Sequence, residues 1–537
     1  MAQTTARELQ LYDTTLRDGM QQEGMVPTVD DKLVIARQLD AFGVGFIEAG
    51  WPGALPKDTE FFRRARTELA LATAQLVAFG ATRRAGGLVS TDPQVRALLM
   101  AETPVVTLVA KSDSRHVELA LRTTLAENLR MISSTVRFLT RSGRRVFVDA
   151  EHYFDGFLRN REYALEVVRT AAEAGAEAVV LCDTNGGSLP DEIGPTVAET
   201  LLSTGTRLGI HCHNDSGCAV ANTLAAVDAG ADHVQGTAHG YGERCGNADL
   251  FTVTANLVLK RGLDVLPPGR LATMAGVGEA ISAVTTVSGR PAAPYIGASA
   301  FTHKAGLHAS ALRVDPDLYQ HTDPSGVGNA MRTLVSDMGG RSSVQLKAVE
   351  LGYDLSAGSE PVGRAAARVK ELESRGYSFE SADASFELLL REELADGRLD
   401  PVIEVHSWFA GTGQGPEDSP RSEATVQLLA DGEPVEARAD AAEPVAALDR
   451  VLHTALDPHF PELRTLVLLK HRVRVLDSTG TARALLSFHD GRRQWGTVGV
   501  GTDTVAAAWA ALLDACRYLV LSRRDTSDRA PVPAAVG

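Results

Sequence analysis

The sequence predicts an α/β chain: a (β/α)8 TIM barrel, then a helical linker region, then a C-terminal α+β domain. Three observations predict this. Between residue 8 and about residue 262, eight short aliphatic or β-branched runs alternate with amphipathic helical stretches. Polar residues that can carry chemistry recur where those runs end, as expected on one rim of a barrel. Beyond about residue 399 strand-like runs dominate again, now with only two helical interludes.

The eight runs are ELQLYD, VGFIEAG, LVAFGA, VVTLVAK, RVFVDAE, AVVLCDT, RLGIHCH and HVQGTAH. Between them lie helical segments such as VDDKLVIARQLDAFG, REYALEVVRTAAEAGA and CAVANTLAAVDAGA, each reaching a glycine near its C-cap. An open doubly wound sheet is the structural alternative. It usually has fewer units and a glycine-rich first turn, whereas the first turn here reads DTTLRDGMQQEG. The predicted divisions are a barrel over 8–265, helical linker subdomains over 266–395, a separate α+β domain over 396–523, to which the resemblance below gives a regulatory or dimerisation role, and a tail over 524–537. Within the third division GTGQGPEDSPRSE (411–423) is expected to be a loop, and the tail carries no packing signal.

Composition narrows the function. With 44% hydrophobic and 23% charged residues the chain can build real cores. A formal net charge of -15, from 53 basic and 68 acidic residues without a basic run, disfavours a nucleic-acid or anionic-membrane partner. Five cysteines without CxxC spacing fit a reducing cytoplasm, and no apolar stretch reaches the ~20 residues of a membrane helix. The expectation is a cytoplasmic protein acting on small polar substrates.

The strongest constellation is His211-Cys212-His213-Asn214-Asp215. Residues two apart on a strand share a face, so both imidazoles can reach one metal ion. Asp18, after the first run, offers a carboxylate, and Asn247, after the eighth, an amide oxygen. Two nitrogens and two oxygens suit Mg2+, Mn2+, Zn2+ or Co2+ without choosing among them. Taken singly, Asp18 also reads as a turn or capping residue and Asn247 as a turn residue beside Gly246. Arg17 is either an ion-pair partner of Asp18 or a donor to an oxyanion near the metal. Glu151 reads equally as a general base or a loop anchor. Thr184, in the DTNGG turn, is a candidate donor to a substrate carboxylate or a capping threonine. The glycine-rich turn holding Gly240 and Gly242 lacks the context of a dinucleotide fingerprint, but lies where barrels often bind anionic cofactors.

These residues carry a resemblance. Asp13 to Gly19 resembles the D-x-T-L-R-D-G signature of the isopropylmalate/homocitrate synthase family of metal-dependent DRE-TIM condensing and cleaving enzymes. His211 to Asp215 resembles its H-x-H-N-D signature, and Gly240 to Asn247 its G-x-G-E-R-x-G-N. Downstream, FTHKAGLHAS (301–310) resembles the linker motif, placing His308 at the family's catalytic histidine and Tyr319 at the tyrosine that follows. HRVRVLDSTGTARALLSFHDGRRQWGTVGV resembles the regulatory and dimerisation domain. Within the family, DTTLRDGMQQEGMV and IEAGWPGALPKD are closest to the citramalate synthase branch.

The resemblance implies an acyltransferase that joins acetyl-CoA to pyruvate, releasing (R)-citramalate and CoA on a route through 2-oxobutanoate to isoleucine. For that reaction the candidates are Arg17 at the oxyanion, Glu151 with His308 as base, Tyr319 positioning the hydrolytic water, and Gly240, Gly242 and Asn247 near the acetyl-CoA cofactor. A homodimer and an isoleucine effector at the C-terminal domain are further implications. The alternatives are a 2-isopropylmalate synthase using 2-oxoisovalerate for leucine, a metal-dependent aldolase or lyase on the same barrel, and a catalytically silent amino-acid sensor.

Overall fold

The computed structural model describes residues 9–287, 289–353, 360–396, 401–414 and 420–528. The described residues form two compact units, one within 1–301 and 322–330, the other within 302–321 and 331–537.

The first unit is a closed parallel barrel in the order β1 to β8. Its strands are β1 (Gln10–Asp13), β2 (Phe46–Glu48), β3 (Gln75–Ala81), β4 (Val105–Lys111), β5 (Arg145–Glu151), β6 (Ala178–Asp183), β7 (Leu208–Cys212) and β8 (His233–Gly236). Each coincides with one of the eight predicted runs. Closure comes from β1, which pairs with β2 on one side and with β8 on the other, Leu11 opposite Val234. Tyr12, Phe46, Phe147 and His233 meet as an aromatic floor, with the Phe147 and His233 ring centroids 4.7 Å apart. Inward residues above that floor therefore define the middle and mouth of the barrel. The helix Met274–Thr285 and the side chains of Tyr295 and Phe301 also join the barrel core.

The first helix illustrates how the sequence sets its ends. Thr28 and Asp31 form a reciprocal capping box before Val29–Phe42, and Gly43 ends it in the left-handed region at φ 104°.

The second unit contains a short parallel pair, β9 (Thr302–His303) with β10 (Arg332–Thr333), and the helices Arg341–Glu350, Glu360–Ser374 and Asp383–Leu394. Two three-stranded antiparallel sheets follow: β11 (Ile403–Gln414), β12 (Pro420–Ala430) and β13 (Glu433–Ala441), then β14 (Val467–Val475), β15 (Ala482–His489) and β16 (Gln494–Gly501). Helix Pro444–Leu456 packs on the first sheet and Thr504–Asp528 on the second. Alternate residues of β15, from Ala482 to Phe488, are buried in the core they share with Leu512 and Leu519. Gly499 lets the helix backbone come close, since a Cβ there would lie 2.2 Å from the Ala507 carbonyl oxygen.

Three details depart from the sequence reading. Residues 411–414 and 420–423, expected in a loop, are paired strand, Thr412 opposite Ser422; residues 415–419 lie outside the described ones. Strand β13 was not anticipated, because its Glu/Arg/Ala alternation buries little beyond Ala439. The C-terminal helix continues to Asp528, into the segment read as a tail, of which 529–537 lie outside the described residues. Among the described residues one helix, Thr504–Arg524, has the length and composition to cross a bilayer, but 61% of its apolar window is buried.

Candidate active site

The predicted strand-end residues converge at the mouth of the barrel. A cavity of about 630 Å³ is lined there by Arg17, Asp18, Glu151, Thr184, His211 and His213, together with Phe79 and Asp149.

Asp18, His211 and His213 offer donor atoms that all lie within 4.8 Å of one another. The Nε2 of His211 is 3.2 Å, and that of His213 3.7 Å, from Asp18 Oδ2. The β-strand period places both imidazoles inward, and Asp18 arrives from the turn after β1. Burial works against ionisation of Asp18, but Arg17 and the two histidines hold its carboxyl well below the usual range. Burial, with His211 beside it, lowers His213 to about 4, so that ring is a neutral donor near pH 7. Burial also opposes the charge on His211, but its hydrogen bond to Asp18 prevails and raises its proton affinity.

Asn247 reaches the same rim through backbone pairing, opposite His213 in an isolated antiparallel bridge. Its Nδ2 donates to the Tyr241 carbonyl at 2.9 Å. That leaves Oδ1 buried and without a hydrogen-bond partner, as is Nδ1 of His213. An orphaned buried amide oxygen beside a carboxylate and two imidazoles fits a divalent cation. Gly242 makes room for it: at φ 153° a Cβ would lie 2.3 Å from Asn247 Nδ2. Gly240 and Gly242 line a separate cleft of about 650 Å³ that shares Gln21, Glu243 and Arg244 with the main cavity.

Arg17 is held on three sides. Its Nε donates to Glu48 Oε1 at 2.6 Å, its NH1 lies 3.4 Å from Asp18 Oδ2, and its guanidinium stacks 3.9 Å above the Phe79 ring. Glu48 is fully buried, and its second oxygen accepts from the Tyr12 hydroxyl. Burial works against the arginine's charge, and Glu48, Asp18 and Asp149 outweigh it. Glu151 forms an ion pair with Lys111 at the end of β4. Thr184 accepts the His152 backbone N–H at 2.8 Å, which leaves its own hydroxyl proton free to donate.

Sequence reasoning left three participants without a role. Glu48 was visible as a polar strand end, but its partnership with Arg17 spans 31 residues. Asp149 and Gln235 sit inside strands, two residues before Glu151 and Thr237, so the strand period alone marks them as inward. Gln235 Nε2 donates to Asp149 Oδ1 at 3.1 Å, and burial with Glu48 nearby pushes the Asp149 carboxyl up to about 7. His308 and Tyr319 belong to the second unit, where their rings stack with centroids 4.1 Å apart.

Residues 8–278 match the HMGL-like family, 295–376 the homocitrate synthase post-HMGL domain-like family, and 380–520 the LeuA allosteric (dimerisation) domain. Over 515 residues the chain is 59% identical to the (R)-citramalate synthase of Streptomyces coelicolor, covering 95% of this chain and 96% of that one. The chain belongs to the HMGL-like family, on its (R)-citramalate synthase branch. The (R)-citramalate synthase of Aquifex aeolicus is 44% identical over 524 residues, 96% of this chain and 98% of its own. Identity to the 2-isopropylmalate synthase of Pyrococcus furiosus is 30% over 458 residues, 84% of this chain and 88% of its own. Family members on this branch are acyltransferases, and the Asp18, His211, His213 cluster fits their metal dependence.

Proposed function

We propose that this chain catalyses the metal-dependent condensation of acetyl-CoA with pyruvate to (R)-citramalate and CoA. The observation that carries the reading is the Asp18, His211, His213 cluster with Arg17 beside it, in a chain 59% identical to an (R)-citramalate synthase. Asp18, His211, His213 and Asn247 would hold the cation. When bound, a divalent ion supplies Lewis-acid polarisation of the oxoacid carbonyl.

The chain's own residues do the rest. Arg17, fixed by Glu48 and Phe79, presents a preorganised cation to the oxyanion that develops as the carbon–carbon bond forms. Thr184 donates its hydroxyl to the oxoacid carboxylate. Glu151, with Lys111 at its side, takes a proton from the acetyl methyl group, and His308 acts with it. Tyr319 positions the water that hydrolyses the thioester. The glycine-rich turn at Gly240 and Gly242 borders the acetyl-CoA site in this reading. The C-terminal domain forms a homodimer and binds isoleucine. Five free cysteines, three of them buried, support a cytoplasmic location.

A panel of 2-oxoacids assayed for CoA release tests the reaction. Pyruvate is expected to exceed 2-oxoisovalerate in kcat/KM by about tenfold or more, the discrimination that ~1–3 kcal/mol of pocket contact confers. A preference for 2-oxoisovalerate overturns the assignment.

A further inference from the structure

Gln235 lies on β8 with no solvent exposure and no part in the chemistry above. Its Oε1 is 3.0 Å from Nδ1 of His211, and its Nε2 is 3.1 Å from Asp149 Oδ1. All three side chains are at least nine-tenths buried, at 0%, 5% and 4% exposure for Gln235, His211 and Asp149. The amide lies with its NH2 end against Asp149 and its carbonyl end against the imidazole, and a carbonyl can only accept. His211 then carries a proton on Nδ1, and Nε2, the atom that hydrogen-bonds Asp18 here, is the one a cation would take in exchange for its proton. The neighbouring His213 has no such anchor, since its Nδ1 is buried without a partner. The two imidazoles are therefore unequal.

We infer that Gln235 is a positioning residue which, braced by Asp149, locks His211 in the Nδ1–H tautomer and makes it the better-held of the two imidazole ligands. This deepens the metal-site reading above and rests on it. Groups that orient a metal-binding histidine through its other nitrogen typically contribute about 10–100-fold in affinity.

The test is Mn2+ affinity, read by electron paramagnetic resonance on the full-length protein. Gln235→Met is expected to weaken binding about 10–100-fold, with the metal-free melting temperature held as a folding control. The double variant Gln235→Glu with Asp149→Asn reverses which partner donates between 235 and 149 but keeps an acceptor opposite His211, so its affinity is expected to return toward the parent. A variant-free measurement stands beside these. In zinc-loaded protein with 15N-labelled histidine, His211 is expected to show a protonated Nδ1 and a metal-bound Nε2. Parent-like affinity in Gln235→Met, a double variant as weak as the single one, or ligation through Nδ1 of His211 overturns the inference while leaving the site intact. A parent protein that binds neither Mn2+ nor Zn2+ overturns both the inference and the site.

Discussion

Both carboxylate oxygens of Glu48 are committed, one to Arg17 and one to Tyr12, in a position with no solvent exposure. A residue so placed does not meet substrate in this reading. It sets the angle at which Arg17 does. Glu48→Gln keeps the shape but replaces an ionic acceptor by an amide, so the guanidinium loses its charged anchor. Turnover is expected to fall about 100-fold, the scale of loss from misplacing a catalytic group by about 1 Å. Mn2+ affinity should change much less, because Asp18, His211 and His213 keep their positions. Steady-state kinetics together with a Mn2+ titration separate these outcomes. A joint collapse of both would show that Glu48 supports the ligands rather than the arginine.

At the scale of one element, the lower end of β8 carries a different device. His233 is fully buried among Tyr12, Phe46 and Phe147, with Nδ1 3.1 Å from Gln10 Oε1 and Nε2 without a hydrogen-bond partner. Burial, with Arg207 and Arg145 adding repulsion, lowers it to about 3, against 6.5 for a free imidazole. The unfolded chain therefore binds this proton more readily than the folded one. The resulting stability is present above pH 6.5 and is lost as pH falls toward 3. Between pH 7.5 and pH 5 this one group is expected to cost about 2 kcal/mol. His233→Gln should flatten the fall in barrel melting temperature over that interval, whatever it does to stability at pH 7.5. An unchanged slope by calorimetry would assign the acid sensitivity elsewhere. Gly209 belongs to the same packing, since a Cβ there would come within 2.9 Å of the His233 ring.

For the whole molecule, net charge and the charge of the site differ. The chain carries -15, while its main cavity sets Arg17, Arg83, Arg84, Lys111 and Arg244 against Asp18, Asp149, Glu151 and Glu243, around a site proposed to take two anionic substrates. The total charge therefore does not describe the field that the substrates meet at the mouth. The match of residues 380–520 to an allosteric (dimerisation) domain motivates a prediction at this scale. Light scattering is expected to give twice the chain mass, and isoleucine is expected to slow CoA release more than leucine or valine at the same concentration. Equal effects of all three, or none, would remove isoleucine as the effector.

Much of this protein could be read from local pattern alone. Strand period, helix period and glycine placement are properties of neighbouring residues, so the eight strands of the barrel and most strands of the C-terminal sheets appeared in the sequence at close to their final bounds. The same period puts His211 and His213 on one face, independently of any tertiary contact. Where apolar alternation was weak, as in β13, or where Gly, Pro and acidic residues imitate a loop, as near 411–423, the pattern failed because pairing with a neighbouring strand, not local propensity, decided the outcome. The remaining decisions belonged to barrel closure. Strand register brings Asp18 to His211, Glu48 to Arg17, and Gln235 between Asp149 and His211, across separations of 24 to 193 residues along the chain. Those partnerships, and the burial that sets their proton affinities, exist only once β1 has paired with β8.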